Sequence, residues 1–177
     1  MRRARELHGL QGLVLPGGES TTMWHFLRKE GLDAALCDFA RAGGALLGTC
    51  AGAILLSRDV LNPDATGLGI LDITVERNAY GRQVESSVRT AELEGAHATS
   101  IETVLIRAPR IVRVGPGVRV RARLDGDTVW VEEGRAIATT FHPELCGEMR
   151  VHRRFLELAA TAEAYVLMPA GTAPTGA

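Results

Sequence analysis

The chain has 177 residues, 46% of them hydrophobic, enough for a single globular domain with a full core. Twenty basic residues against twenty-one acidic ones leave a formal net charge of −1, so no whole-protein field gathers phosphate backbones or anionic lipid, and nucleic acid and membrane are set aside as partners. The opening Met1-Arg2-Arg3-Ala4-Arg5 is followed by no apolar leader core, and no apolar run approaches the roughly 18 residues that cross a bilayer, which points to the cytoplasm.

Leu10 to Leu15 reads as a short strand ending at Pro16-Gly17-Gly18, and Ser20-Thr21-Thr22 offer caps for a helix carrying Met23, Phe26 and Leu27. Leu32, Leu36, Phe39 and Ala40 make one apolar helical face that stops at Gly43-Gly44. Ala45 to Gly48 is a brief strand and Ala51 to Leu56 a helix, which places Cys50 at their junction. Further strands are expected at Ile73 to Arg77, Val104 to Arg107, Val118 to Leu124, Val129 to Val131 and Ala136 to Phe141. In the third of these, Arg119, Arg121 and Arg123 alternate with apolar residues and read as a solvated strand face rather than a nucleic-acid stripe. A last helix presents Val151, Phe155, Leu158 and Ala159, so the expected domain spans 1–165 and 166–177 reads as a disordered tail. Strands followed by helices early and strand pairs later indicate an α/β sheet with a mixed edge.

Three cysteines, Cys37, Cys50 and Cys146, are an odd number without C-x-x-C spacing, which argues against a disulfide framework and a structural zinc site. Gly48-Thr49-Cys50-Ala51-Gly52 has the form of a nucleophile elbow, in which flanking glycines permit a tight turn that exposes the side chain above the sheet. A helix N-terminus and a neighbouring imidazole are expected to lower the thiol pKa. Phe141-His142-Pro143-Glu144 follows a strand, so imidazole and carboxylate emerge together, the acid orienting the base that takes the thiol proton. His8, His25, His97 and His152 have no comparable setting. Pro16-Gly17-Gly18-Glu19-Ser20 is a glycine turn entering a helix. An amide from Gly17 or Gly18, with that of Ala51, forms a two-pronged hole for a tetrahedral oxyanion, each such donor being worth on the order of 3 kcal/mol. A phosphate loop is disfavoured by the absence of G-K-[ST] and G-x-G-x-x-G.

Taken in order, PGGEST, GTCAG, RNAYGRQ, LIRAPRI and TFHPEL resemble the glutaminase subunit of pyridoxal 5'-phosphate synthase, from about Arg2 to Ala160. PGG, G-x-C-x-G and HPE alone indicate only the class I, triad glutamine amidotransferases; RNAYGRQ and IRAPRI discriminate this branch. The resemblance implies a flavodoxin-like three-layer α/β fold, with a mostly parallel central sheet and an antiparallel extension. It implies Cys50 as nucleophile, His142 as base, Glu144 as orienting acid, and L-glutamine contacts at Gly18, Glu19, Ser20, Arg77, Ile106 and Arg107. It further implies hydrolysis of glutamine through a thioester with no metal or organic cofactor, and ammonia delivery to a synthase subunit in a hetero-oligomer, many glutaminase subunits surrounding a ring of synthase subunits.

The family's opening strand, helix and second strand have no counterpart ahead of Arg2, so a natural start roughly 25 to 30 residues upstream is expected from the length of a βα unit plus a strand. Cys146 stands where the family often has threonine, and Ser86-Ser87-Val88 replaces a stretch that usually carries phenylalanine. Two rival readings are a glutaminase serving another synthase and a non-catalytic thiol sensor on the same scaffold. The paired imidazole and carboxylate speak against the sensor.

Overall fold

The computed structural model describes residues 1–77, 79, 87–95 and 99–167. Asn78, Tyr80–Gln83 of RNAYGRQ, Ser86, His97 and the tail from Met168 onward lie outside the described residues. After a 3-10 turn at Ala4–Leu7, the order is β1 (Gly12–Leu15), α1 (Ser20–Lys29), α2 (Leu32–Arg41), β2 (Ala45–Thr49) and α3 (Ala51–Leu56). There follow β3 (Ser57–Leu61), β4 (Ala65–Thr66), β5 (Leu71–Glu76), β6 (Ser87–Leu93), β7 (Ser100–Leu105) and β8 (Arg110–Val114). The last elements are β9 (Arg119–Leu124), β10 (Asp127–Glu133), β11 (Ala136–Thr139), a 3-10 turn at Pro143–Leu145, and α4 (Arg150–Ala160).

The sheet runs β1-β2-β11-β10-β8-β5-β3-β4, with β9 also on β10, β6 on β9, and β7 on β6. β1, β2 and β11 are mutually parallel, and β3 is parallel to β5, whereas the pairings of β10 with its neighbours and of β6 with β7 and β9 are antiparallel. All five residues of β2 are buried, because both faces of the sheet are covered there. Leu46 joins the core under α1, α2 and α3 with Leu15, Leu36 and Ala138. Its neighbours Ala45 and Leu47 join the second core with Ile137, Val151 and Phe155 of α4 and with Ala91, Ile101, Ala122 and Trp130 of the antiparallel strands. Strand alternation thus sends successive β2 side chains into two cores, each buried leucine contributing about 2 kcal/mol.

Several boundaries and elements differ from those expected of the sequence. The cap of α1 is the Glu19 carboxylate, which accepts from Thr21 N (3.1 Å) and Thr22 N (2.6 Å), rather than a Ser20, Thr21 or Thr22 hydroxyl. A carboxylate takes two orphan amides at the positive end of the helix, which holds the Glu19 carboxyl down to about 2. Strands β3, β4, β6 and β8 were not anticipated, since sequences such as SVRTAEL carry too few apolar residues to announce pairing. Arg121 lies over the Trp130 ring, 5.7 Å from its centroid, and Arg123 pairs with Glu94 at 2.7 Å, so the arginine stripe is tied to its own domain. Among the described residues no helix is long and apolar enough to cross a membrane.

Candidate active site

β2 lies between β1 and β11, and Cys50 continues it for one hydrogen bond, its N–H donating to Thr139 O of β11 at 2.8 Å. The chain then turns with Cys50 at φ 49°, ψ −102°, and α3 starts at Ala51. Positive φ in a residue with a Cβ costs on the order of 1–3 kcal/mol and persists only where the surroundings impose it. Here the flanking glycines permit the close packing around it: a Cβ on Gly48 would lie 2.6 Å from the Gly52 carbonyl, and one on Gly52 would lie 1.9 Å from Leu15 O of β1. Gly48 is therefore closed by α3 and Gly52 by β1, with no space for a methyl at either.

The Cys50 side chain is buried at 8% exposure, and its Sγ lies 3.9 Å from Ile106 O, within reach for S–H donation. Burial pushes the thiol above its ordinary pKa; the Ala51 N–H and the Arg107 guanidinium pull it down, and the Glu144 charge pushes it up. This corrects the expectation of a lowered thiol pKa. α3 has only six residues, and desolvation is the largest influence.

His142 follows β11, the strand next to β2. Its N–H donates to Val104 O of β7 at 2.8 Å, and its Nδ1 lies 2.8 Å from Glu144 Oε1, with Glu144 in the 3-10 turn that follows. With Glu144 ionised, that bond places the proton on Nδ1 and leaves Nε2 as the acceptor. The ring packs on Gly17, where an added Cβ would lie 2.3 Å from Cε1. The Gly17 N–H donates to Thr49 Oγ1 at 3.1 Å, directly before Cys50. Sulfur and imidazole thus stand at the same end of adjacent parallel strands, the position beyond strand carboxyl ends where open α/β sheets hold ligands.

A cavity of about 100 Å³ opens beside Cys50. The six residues expected to contact glutamine, Gly18, Glu19, Ser20, Arg77, Ile106 and Arg107, all line it together with Cys50 and Ala51. Gly17, His142 and Glu144 lie beside it and do not form its lining. Arg77 Nη2 takes the Thr21 Oγ1 acceptor at 3.0 Å and approaches Glu19 Oε1 at 3.6 Å, which fixes the guanidinium at the head of α1. Arg107 has φ 45°, a left-handed conformation next to the Ile106 carbonyl that faces the thiol. The Gly18 N–H has no partner among the described residues, at a φ of 154° that favours glycine. Sequence reasoning missed Ile54 and Pro109, which also line the cavity, and Thr49. The signal for Thr49 was a hydroxyl in a strand otherwise made of Ala, Leu and Gly.

A cysteine in strained backbone between a strand and a helix, with a His–Glu pair on the neighbouring strand, defines an α/β, flavodoxin-like protein of the class I glutamine amidotransferase type. A solved glutamine amidotransferase superposes with a TM-score of 0.83 at 45% identity, covering 91% of this chain and 85% of that one. Residues 1–161 match the SNO glutamine amidotransferase family, and the chain belongs to it. It is similar to pyridoxal 5'-phosphate synthase subunit PdxT of Deinococcus radiodurans, with 52% identity over 164 residues, 90% of this chain and 83% of that protein. The subunit of the same name from Koribacter versatilis is 49% identical over 160 residues, covering 89% of this chain and 81% of the relative.

Proposed function

We propose that this chain hydrolyses L-glutamine to L-glutamate and ammonia and supplies the ammonia to the synthase subunit of pyridoxal 5'-phosphate synthase, in the cytoplasm and within a hetero-oligomer. The observation that carries the reading is convergence: six candidate substrate contacts share one cavity with Cys50, and the hydrogen-bonded His142–Glu144 pair ends the adjacent strand. The names of the relatives support the choice of this synthase over that of another amidotransferase.

In this mechanism His142 Nε2 takes the thiol proton as Sγ forms a bond to the side-chain amide carbon, and the amide oxygen becomes an oxyanion facing the Ala51 and Gly18 N–H groups. Collapse breaks the C–N bond, and the imidazolium returns its proton to the leaving nitrogen, which departs as ammonia. Water then gives a proton to His142 and its oxygen to the thioester; the C–S bond breaks, the thiol is restored and glutamate leaves. The α-carboxylate of glutamine is met by Arg77, and its ammonium by the Ile106 carbonyl and Glu19. Neither metal nor organic cofactor enters. Raising of the thiol pKa by burial accords with a subunit that turns over slowly until its partner docks, and docking protects ammonia from protonation in water. The test is glutamate release from glutamine with the synthase subunit present: Cys50→Ala abolishes it, and retained activity in that variant would end the glutaminase reading.

A further inference from the structure

Thr49 is 2% exposed, the last residue of β2, and the single polar side chain of that strand. A hydroxyl buried there needs a partner, since an unpaired polar group in a core costs about 1–3 kcal/mol. Its oxygen accepts from the Gly17 N–H across 32 residues of sequence. The register shows why a side chain is required at this point. The β1–β2 ladder ends at the Leu15–Gly48 pair, so among the described residues the hydrogen bond that links the glycine turn to the strand carrying Cys50 beyond it is the one to the Thr49 hydroxyl. On its other side Gly17 is closed by the His142 ring. The turn is therefore clamped between a hydroxyl and an imidazole.

Resting on the glutaminase reading, we infer that Thr49 is a positioning residue for the oxyanion hole: by engaging the Gly17 N–H it sets the turn so that the next amide, Gly18 N–H, faces the cavity opposite the Ala51 N–H. The two amides flank Cys50 from different segments, and among the described residues no other hydrogen bond on the β2 side fixes their spacing. An oxyanion exists in the tetrahedral intermediates and not in bound glutamine, so the effect falls on kcat and not on KM.

The experiment measures glutamate release by the full chain with the synthase subunit present, alongside the rate at which iodoacetamide alkylates Cys50, a displacement that needs the thiolate but no oxyanion hole. Thr49→Val, which keeps the shape and removes the acceptor, is expected to lower kcat about 10- to 100-fold while KM stays within about twofold. Alkylation is expected to be unchanged, and Thr49→Ser to restore most of kcat. A Thr49→Val enzyme with kcat near that of the unsubstituted chain, a rise in KM alone, or alkylation falling in parallel with kcat would each overturn the role. Should Thr49→Val not fold, Thr49→Ser and Thr49→Ala decide, since they differ by one hydroxyl: equal kcat values overturn the inference, and a slower alanine variant upholds it. An unsubstituted chain that releases no glutamate overturns the glutaminase reading itself, a result distinct from any of these.

Discussion

Among the described residues, the two ends of the parallel strands β1, β2 and β11 each carry a cavity and a buried or half-buried thiol, but they differ in how far the polar groups around that thiol are already committed. At the amino ends a cavity of about 550 Å³ is lined by Cys37, Arg41, Gly44, Glu133, Arg135 and Ala136; the cavity beside Cys50 at the carboxyl ends is about 100 Å³. Burial raises the pKa of both thiols. Around Cys37 the polar groups are already engaged in holding the fold. Arg135 donates to Leu158 O, Thr161 Oγ1 and Thr161 O, closing the end of α4, and Glu133 Oε2 accepts from Asp72 N. Cys37 itself lies inside α2 and donates to Leu68 O at 3.5 Å. Around Cys50 the backbone is forced into positive φ at Cys50, Arg107 and Gly18, and the Gly18 amide is uncommitted among the described residues. The candidate site is thus marked by unfilled hydrogen-bonding capacity beside a strained cysteine, and not by volume.

The contrast is tested most severely by the cysteines themselves. Cys50→Ala is expected to reduce glutamate release by more than about 1,000-fold, while Cys37→Ala and Cys146→Ala remain within about twofold. Comparable loss in the Cys37 variant would erase the distinction between the two ends. Next in size is a pair of glycine substitutions. Gly17→Ala drives a methyl into the His142 ring and is expected to lower kcat about 100-fold. Gly134→Ala, at φ 56° in the larger cavity with open space for its Cβ, is expected to cost about 1 kcal/mol of stability in urea unfolding and leave kcat unchanged. Glu144→Gln retains a partner for His142 Nδ1 but loses the charge that stabilises the imidazolium, and a fall in kcat of about tenfold is expected.

The smallest effect is on pH dependence. Both thiols are protonated more firmly in the folded chain than in the unfolded one, so their contribution to stability is complete below the unfolded pKa of about 8.5 and is lost as pH rises through the higher folded values. Urea midpoints are expected to decline from about pH 8 to about pH 10, less steeply in Cys37→Ala. Alkylation of Cys50 in the isolated chain should still be climbing above about pH 9, and a plateau below about pH 8 would contradict the burial of its sulfur.

Much of the site could be read from the residues alone, and the reasons differ by residue. Cys50, His142 and Glu144 were legible because elbow glycines and a strand-end His-x-Glu are local patterns that chemistry constrains. Arg77, Ile106 and Arg107, which line the cavity beside Cys50, were put forward as glutamine contacts by the family resemblance alone, for nothing in a strand-end arginine or isoleucine says which cavity it borders. The direction of the thiol shift was misread because burial is a property of the assembled cores and not of the GTCAG segment. Thr49 escaped because its partner is 32 residues away and the bond exists only once β1 and β2 are in register. The strands β2 and β11 were visible as apolar runs, whereas β6, SVRTAEL, has little apolar alternation to announce it, and in β8 the β-branched Ile111, Val112 and Val114 were a signal passed over.

The contact between Gly52 and the Leu15 carbonyl has a bearing on how a saturation scan of this chain would look. Position 52 would tolerate replacement as poorly as position 50, yet for a steric cause, because any larger group pushes α3 off β1. Soluble yield separates the two: alleles at 50 would accumulate as well-behaved but inert protein, and alleles at 52 would be depleted from the soluble fraction before any assay began.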